Sequence, residues 1–200
     1  MVGSSESRTK NRQWTVLVTA IIVIVAVACL SAVSTFVYMG AFDVSADTPH
    51  SQPVYWLMQT VREYSIAARA RDAVPNDLSD AKRITSGAGQ YAEMCAACHL
   101  APGMQRTEIS QGLYPRAPEL RRGSSLTPAE EFWVVKHGIK MTGMPAWGLT
   151  HDDEILWDVV AFVRKLPELT AEQYQALVKD APKTHDEMMY KHEPGHESRQ

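Results

Sequence analysis

From Trp14 to Phe42 the chain has no Lys, Arg, Asp, Glu or His. Its core, Val16–Met39, is rich in Val, Ile and Ala. About 20 apolar residues cross the hydrocarbon layer as a helix, so a transmembrane anchor is expected over 14–42. Arg8, Lys10 and Arg12 precede the run, and Asp43 and Asp47 follow it. The positive-inside rule then leaves residues 1–13 in the cytoplasm and everything past residue 42 outside. Trp14 and Tyr38 fall near the two interfaces, where amphipathic aromatics prefer to lie. A cleaved signal peptide competes with this reading, because Ala26-Val27-Ala28 has a small-residue pattern and Cys29 follows it. The apolar run continues through Leu30, Val33, Phe36, Val37 and Tyr38, longer than the 7–15 apolar residues of a signal. The expectation is an uncleaved single-pass anchor in the inner (cytoplasmic) membrane.

With 200 residues, what remains suffices for one domain with appendages. The net charge of −3 argues against a nucleic-acid partner. Past residue 42 there are 22 acidic and 17 basic residues, a bias that serves solubility first and could steer a basic protein partner. Three cysteines give no disulfide framework, and Cys29 sits in the apolar run as a small hydrophobe.

The other two cysteines lie in Cys95-Ala96-Ala97-Cys98-His99. C-x-x-C-H is the pattern of c-type haem attachment: two thiols add to the two vinyl groups and the histidine Nε2 reaches the iron. A bare C-x-x-C would also suit a thioredoxin-like dithiol or half a zinc site, but no βαβ pattern surrounds it. Cys95 and Cys98 are therefore the expected covalent attachment points and His99 one axial ligand. The other axial candidates lie in Lys140-Met141-Thr142-Gly143-Met144-Pro145-Ala146-Trp147. A thioether is a soft ligand that raises the reduction potential. Pro145 disfavours helix at Met144 and stiffens the loop, which makes Met144 the expected ligand. Met141 and His137 are the alternatives, and gap-filling core methionine is the plain reading of the Met pair.

With these residues in view, 81–168 resembles a class I cytochrome c domain, close to the single-haem domains of cbb3-type cytochrome c oxidase subunit III. The resemblance rests on Cys95–His99, on Gly143-Met144-Pro145-Ala146-Trp147, and on Gly87 and Tyr91. It implies one covalent haem c, and a glycine and an aromatic on the first helix packed against an aromatic on the last, Trp157 or Phe162. It also implies a proline carbonyl accepting from the ligand histidine, either Pro115 or Pro118. C-type attachment on the outer side of an energy-transducing membrane places the haem domain in the periplasm, in agreement with the charge rule.

The remaining pattern is helical throughout. Val54, Leu57, Met58 and Val61 recur at helical spacing, predicting an amphipathic helix over about 54–71 within a linker region 43–80. Its plain role is extra core against the haem domain; a membrane-surface helix or a partner-docking strip are the functional readings. Residues 81–97 read as one helix ending at the haem motif, and 100–126 as a loop that wraps an object such as a haem edge. Arg106, Arg116, Arg121 and Arg122 in that loop are surface charges or propionate partners. Thr127-Pro128-Ala129-Glu130 starts a helix that Gly138 stops; Thr150-His151-Asp152-Asp153 starts an apolar one that Pro167 ends. Thr170 caps one more short helix, and 169–200 reads as that helix plus a mobile tail. His185, Met188, Met189, His192 and His196 in the tail have the chemistry to bind copper, against a default of plain mobility.

The expected whole is an all-α, class I cytochrome c domain with a transmembrane helix and an extra amphipathic helix. With both axial positions closed it would carry single electrons rather than act as an enzyme. It would serve between a quinol-oxidising complex or dehydrogenase and a terminal oxidase or reductase, as shuttle or fixed subunit. The competing class is a haem enzyme or gas sensor with a labile Met144 and His137 or His151 as distal base.

Overall fold

The structure is a computed structural model that describes residues 3–182. The tail histidines and methionines considered for copper lie outside the described residues. The chain divides into two compact units, Met1–Thr48 and Pro49–Gln200.

The first unit is essentially one helix, α1 (Gly3–Tyr38). The stretch Lys10–Tyr38 is long and apolar enough to cross a membrane, and none of it is buried against protein. The hydroxyls of Thr15 and Thr19 donate to the carbonyls of Asn11 and Thr15, each at 2.9 Å, so they leave no polar group unpaired in an apolar surrounding. Gly40, at φ +63°, ends the helix, and the amide of Ala41 reaches back to the carbonyl of Phe36. The unit fits a single-pass membrane anchor.

The second unit is all helical among the described residues: α2 (Gln52–Arg69), α3 (Ala81–Met94), α4 (Ala96–His99), α5 (Glu108–Gly112), α6 (Pro128–His137), α7 (Asp153–Lys165) and α8 (Ala171–Asp180). Caps set the boundaries. Asp80 and Asp152 accept from the amides of Lys82 and Ile155. Thr127 with Glu130, and Thr170 with Gln173, form reciprocal capping boxes that each satisfy two orphan donors. α7 is the central helix, buried from Leu156 to Val163 except for half-buried Asp158.

α3 crosses α7 at Gly87. A Cβ built there would sit 1.9 Å from the Asp158 carbonyl oxygen and 2.9 Å from Phe162 Cβ, so only glycine lets the two backbones meet. Two helical turns' worth of core follows from that contact: Tyr91, Cys95, Phe162, Leu166 and Tyr174 form one buried cluster. A second cluster is built on Phe132 and Trp157, stacked at 4.0 Å and 5° between planes. Of the two candidates for the aromatic across from Tyr91, the structure selects Phe162, with ring centroids 5.3 Å apart.

Three expectations change. The helix over 81–97 ends at Met94, and the motif folds as its own turn. The segment 100–126 holds α5 and a short 3-10 turn at Leu120–Arg122 rather than plain loop. The helix expected over 54–71 adds little core, since Ile66 is its one buried residue. α8 puts Tyr174 into the cluster around Tyr91.

Candidate functional site

α3 delivers Cys95 to a turn in which Cys98 and His99 both donate their amides to the Cys95 carbonyl, at 3.1 and 2.9 Å. That turn brings both thiols and the imidazole of the motif into one short segment. Leu100, buried and at φ 61°, reverses the chain directly after His99. Its carbonyl accepts from the buried hydroxyl of Tyr91, tying the turn back to the helix crossing. Burial holds the Tyr91 hydroxyl protonated well above its ordinary range.

His99 Nδ1 lies 2.9 Å from the carbonyl oxygen of Pro118. A carbonyl only accepts, so Nδ1 carries the proton and Nε2 keeps its lone pair. Burial lowers the pKa of His99, with the Pro118 contact opposing, and so favours the neutral imidazole that ligates a metal. Pro118, not Pro115, is thus the carbonyl partner; the Tyr114–Pro115 peptide bond is cis. The 107–118 segment is fastened at its start as well, because the Thr107 hydroxyl donates to the Ala97 carbonyl inside the motif and caps α5.

Cys95 is buried, and desolvation pushes its thiol up to about 12. A dithiol reductase needs the opposite, an accessible cysteine with a depressed pKa.

Met144 is held by backbone. Its carbonyl accepts from the Ile139 amide at 3.2 Å, and its amide donates to Thr142 Oγ1 at 3.1 Å, whose hydroxyl donates to the Ile139 carbonyl at 2.8 Å. Gly138 stops α6 at φ +63°, and a Cβ there would lie 2.6–2.7 Å from Pro145 C and O and Met144 O. Reading Gly138 from sequence as a helix stop missed this second role, which is to let the methionine loop close onto the helix end. Met144 is half-buried, whereas Met141 is 85% exposed at φ 58°. His137 is exposed with its ring 5.0 Å from Trp133; buried His151 has Nδ1 2.9 Å from Thr150 Oγ1. The 107–118 segment that carries Pro118 meets the methionine loop at Leu113, whose Cδ2 is 2.5 Å from where a Cβ on Gly143 would sit.

Of the arginines read as propionate partners, Arg121 and Arg122 are both engaged by Glu119, at 3.0 and 2.9 Å, and Arg106 donates to the Ser110 carbonyl at 2.9 Å. Arg116 is exposed.

Residues 82–163 match the family model described as cytochrome C oxidase, cbb3-type, subunit III. Over this segment the chain is similar to that family. No curated protein and no solved structure gives a significant match to the chain. The cytochrome domain thus spans the helix crossing, the C-x-x-C-H turn and the methionine loop, and it is a haem-binding, electron-transfer type of domain. Its residues fit the group on their own chemistry. The imidazole presents an unprotonated Nε2, and the two thiols share one turn with it.

The Thr142 hydroxyl is the polar hub of the methionine loop, which yields a prediction. Thr142→Val would strand the half-buried Met144 amide, at a cost of about 1–3 kcal/mol to the closed loop. Titration with guanidinium should then release the loop at lower denaturant than in the parent, read as loss of the far-red band that Met144 would give as an iron ligand. Thr142→Ser, which keeps the hydroxyl, should restore the parental midpoint. Equal midpoints for all three proteins would show that the hydroxyl does not secure the loop.

Proposed function

We propose that the chain is a membrane-anchored c-type cytochrome that carries single electrons. Cys95 and Cys98 hold one haem c through thioethers, and His99 and Met144 take the two axial positions. The haem supplies the one-electron ferric–ferrous couple. The observation that carries the reading is the His99–Pro118 hydrogen bond, which fixes the tautomer and aims the other ring nitrogen away from its carbonyl partner. Met144 is favoured over Met141 by its backbone-pinned, half-buried setting, and its thioether would raise the potential. Holding both axial positions with protein side chains leaves no place for a substrate, which suits a carrier better than an enzyme or gas sensor.

The anchor would confine exchange to two dimensions beside membrane complexes and raise the effective concentration at a partner. The partners we infer are a quinol-oxidising complex or dehydrogenase as donor and a terminal oxidase or reductase as acceptor, met as shuttle or fixed subunit. The arginine and lysine residues before the apolar run favour a cytoplasmic N-terminus and a periplasmic haem domain in the inner membrane.

Expression with a cytochrome-maturation system tests the reading. Haem colour should survive a denaturing gel, be lost in the Cys95→Ser/Cys98→Ser double variant, and titrate with a single electron. The ferrous protein should bind no carbon monoxide. Colour that is stripped by denaturation would refute covalent attachment, and rapid carbon monoxide binding would favour the sensor class.

A further inference from the structure

α2 is packed inside out. Its buried residue, Ile66, and its half-buried Arg62 and Gln59 share one side, on which the helix packs toward α6. Leu57, Val61, Tyr64 and Ala68, spaced i, i+4, i+7 and i+11, share another side and are all exposed. Leu57 is 53%, Val61 55% and Tyr64 75% exposed, too much for residues of this kind that contribute to the domain's own core. A continuous apolar stripe of this length on a helix marks an interaction surface.

Two features of the chain say what covers it. The first is the tether. Residues 39–51 join the end of α1 to the start of α2 and can extend to at most about 45 Å. A bilayer spanned by α1 is therefore always within reach of α2, at high effective concentration. The second is charge. Residues 52–71 carry Arg62, Arg69 and Arg71 against Glu63 alone, whereas 72–182 carry 15 acidic and 11 basic residues. The exposed apolar stripe thus lies on a helix that is net positive with Arg71 at its end, in a body that is otherwise acidic, the composition of an interfacial helix on anionic lipid.

We propose that the Leu57–Val61–Tyr64–Ala68 stripe of α2 lies on the anionic surface of the bilayer that holds α1. Docked there, α2 stops the cytochrome domain from tumbling on its tether and presents it to membrane complexes in one orientation. The inference rests on the anchor reading and not on the axial ligands.

Site-directed spin labelling of the full-length holoprotein tests it, in mixed phosphatidylcholine–phosphatidylglycerol vesicles. Cys29→Ser removes the remaining thiol, and labels are then placed singly through Leu57→Cys, Val61→Cys, Tyr64→Cys, Gln52→Cys and Glu63→Cys. Val23→Cys reports on the anchor. Labels at 57, 61 and 64 should show several-fold greater collision with oxygen than with a water-soluble nickel chelate, and those at 52 and 63 the reverse. Equal access of the chelate to all five sites would overturn the proposal. So would a stripe shielded from both reagents, which would mean that protein covers it, a second copy included. A water-accessible label at 23 would remove the anchor and the proposal together, and that result is distinct from chelate access confined to α2.

Discussion

Gly87→Ala is expected to lower the melting temperature of the holoprotein by about 10 °C, read from helical circular dichroism in mild detergent. Alanine is the better helix former by about 1 kcal/mol, so local propensity predicts a gain. Packing decides the other way. The new methyl would lie 1.9 Å from the Asp158 carbonyl oxygen, a backbone atom of the most buried helix, with no flexible side chain to give way. Relief requires α3 and α7 to separate, which loosens Tyr91 against Phe162 and with them Cys95 and Tyr174. Overpacking of this kind costs about 3 kcal/mol, a sizeable part of the roughly 5–15 kcal/mol that holds a domain folded. Gly112→Ala is the matched control, because nothing lies within 4 Å of a Cβ there; it should stay within about 0.5 kcal/mol of the parent. If the two variants melt alike, the close crossing does not carry the stability assigned to it.

The same crossing shows what sequence reading can and cannot reach. Local signals transferred well. The capping boxes at Thr127 and Thr170 and the Asp152 cap are written within four residues, and each lies at an observed helix start. The C-x-x-C-H pattern and the methionine loop stand out in the sequence for the same reason, because such patterns depend on residue type and spacing. Choices between faces were not. Trp157 and Phe162 both lie on α7, which is apolar almost all round, so periodicity could not say which meets Tyr91 and which stacks on Phe132. Pro115 and Pro118 are three residues apart in a segment without periodicity, and only the folded path brings the Pro118 carbonyl to His99. For α2 the apolar spacing was visible, but a hydrophobic stripe does not record whether it faces the domain or leaves it. The break at Cys95 went unread because helix propensity in Ala96-Ala97 is high, and the turn answers to tertiary bonds from Tyr91 and Thr107.

Gly138→Ala should detach sulfur from iron without unfolding the domain. Two costs combine at this position. An L-residue at φ +63° is strained by about 1–2 kcal/mol. The methyl would also press on Met144 O and on Pro145 C and O at 2.6–2.7 Å, which are the backbone of the proposed ligand residue and its neighbour. The loop is the softer side of that contact, because it is held to α6 mainly by the Ile139 amide and Thr142, whereas α6 is anchored through buried Phe132. The loop will therefore shift, and the thioether with it. Met144→Ala sets the full effect: a fall in potential on the order of 0.1 V, within the ~0.8 V that axial ligands span, and loss of the far-red ferric band. Gly138→Ala should fall between the parent and Met144→Ala in both measurements. Its helical circular dichroism should stay parental, which separates it from the Gly87 variant. Met141→Ala should leave potential and band unchanged, as suits a side chain left in solvent. A Gly138→Ala protein with the parental potential and band would mean that the loop does not depend on this glycine. A Met141→Ala protein without the band would move the axial role three residues upstream.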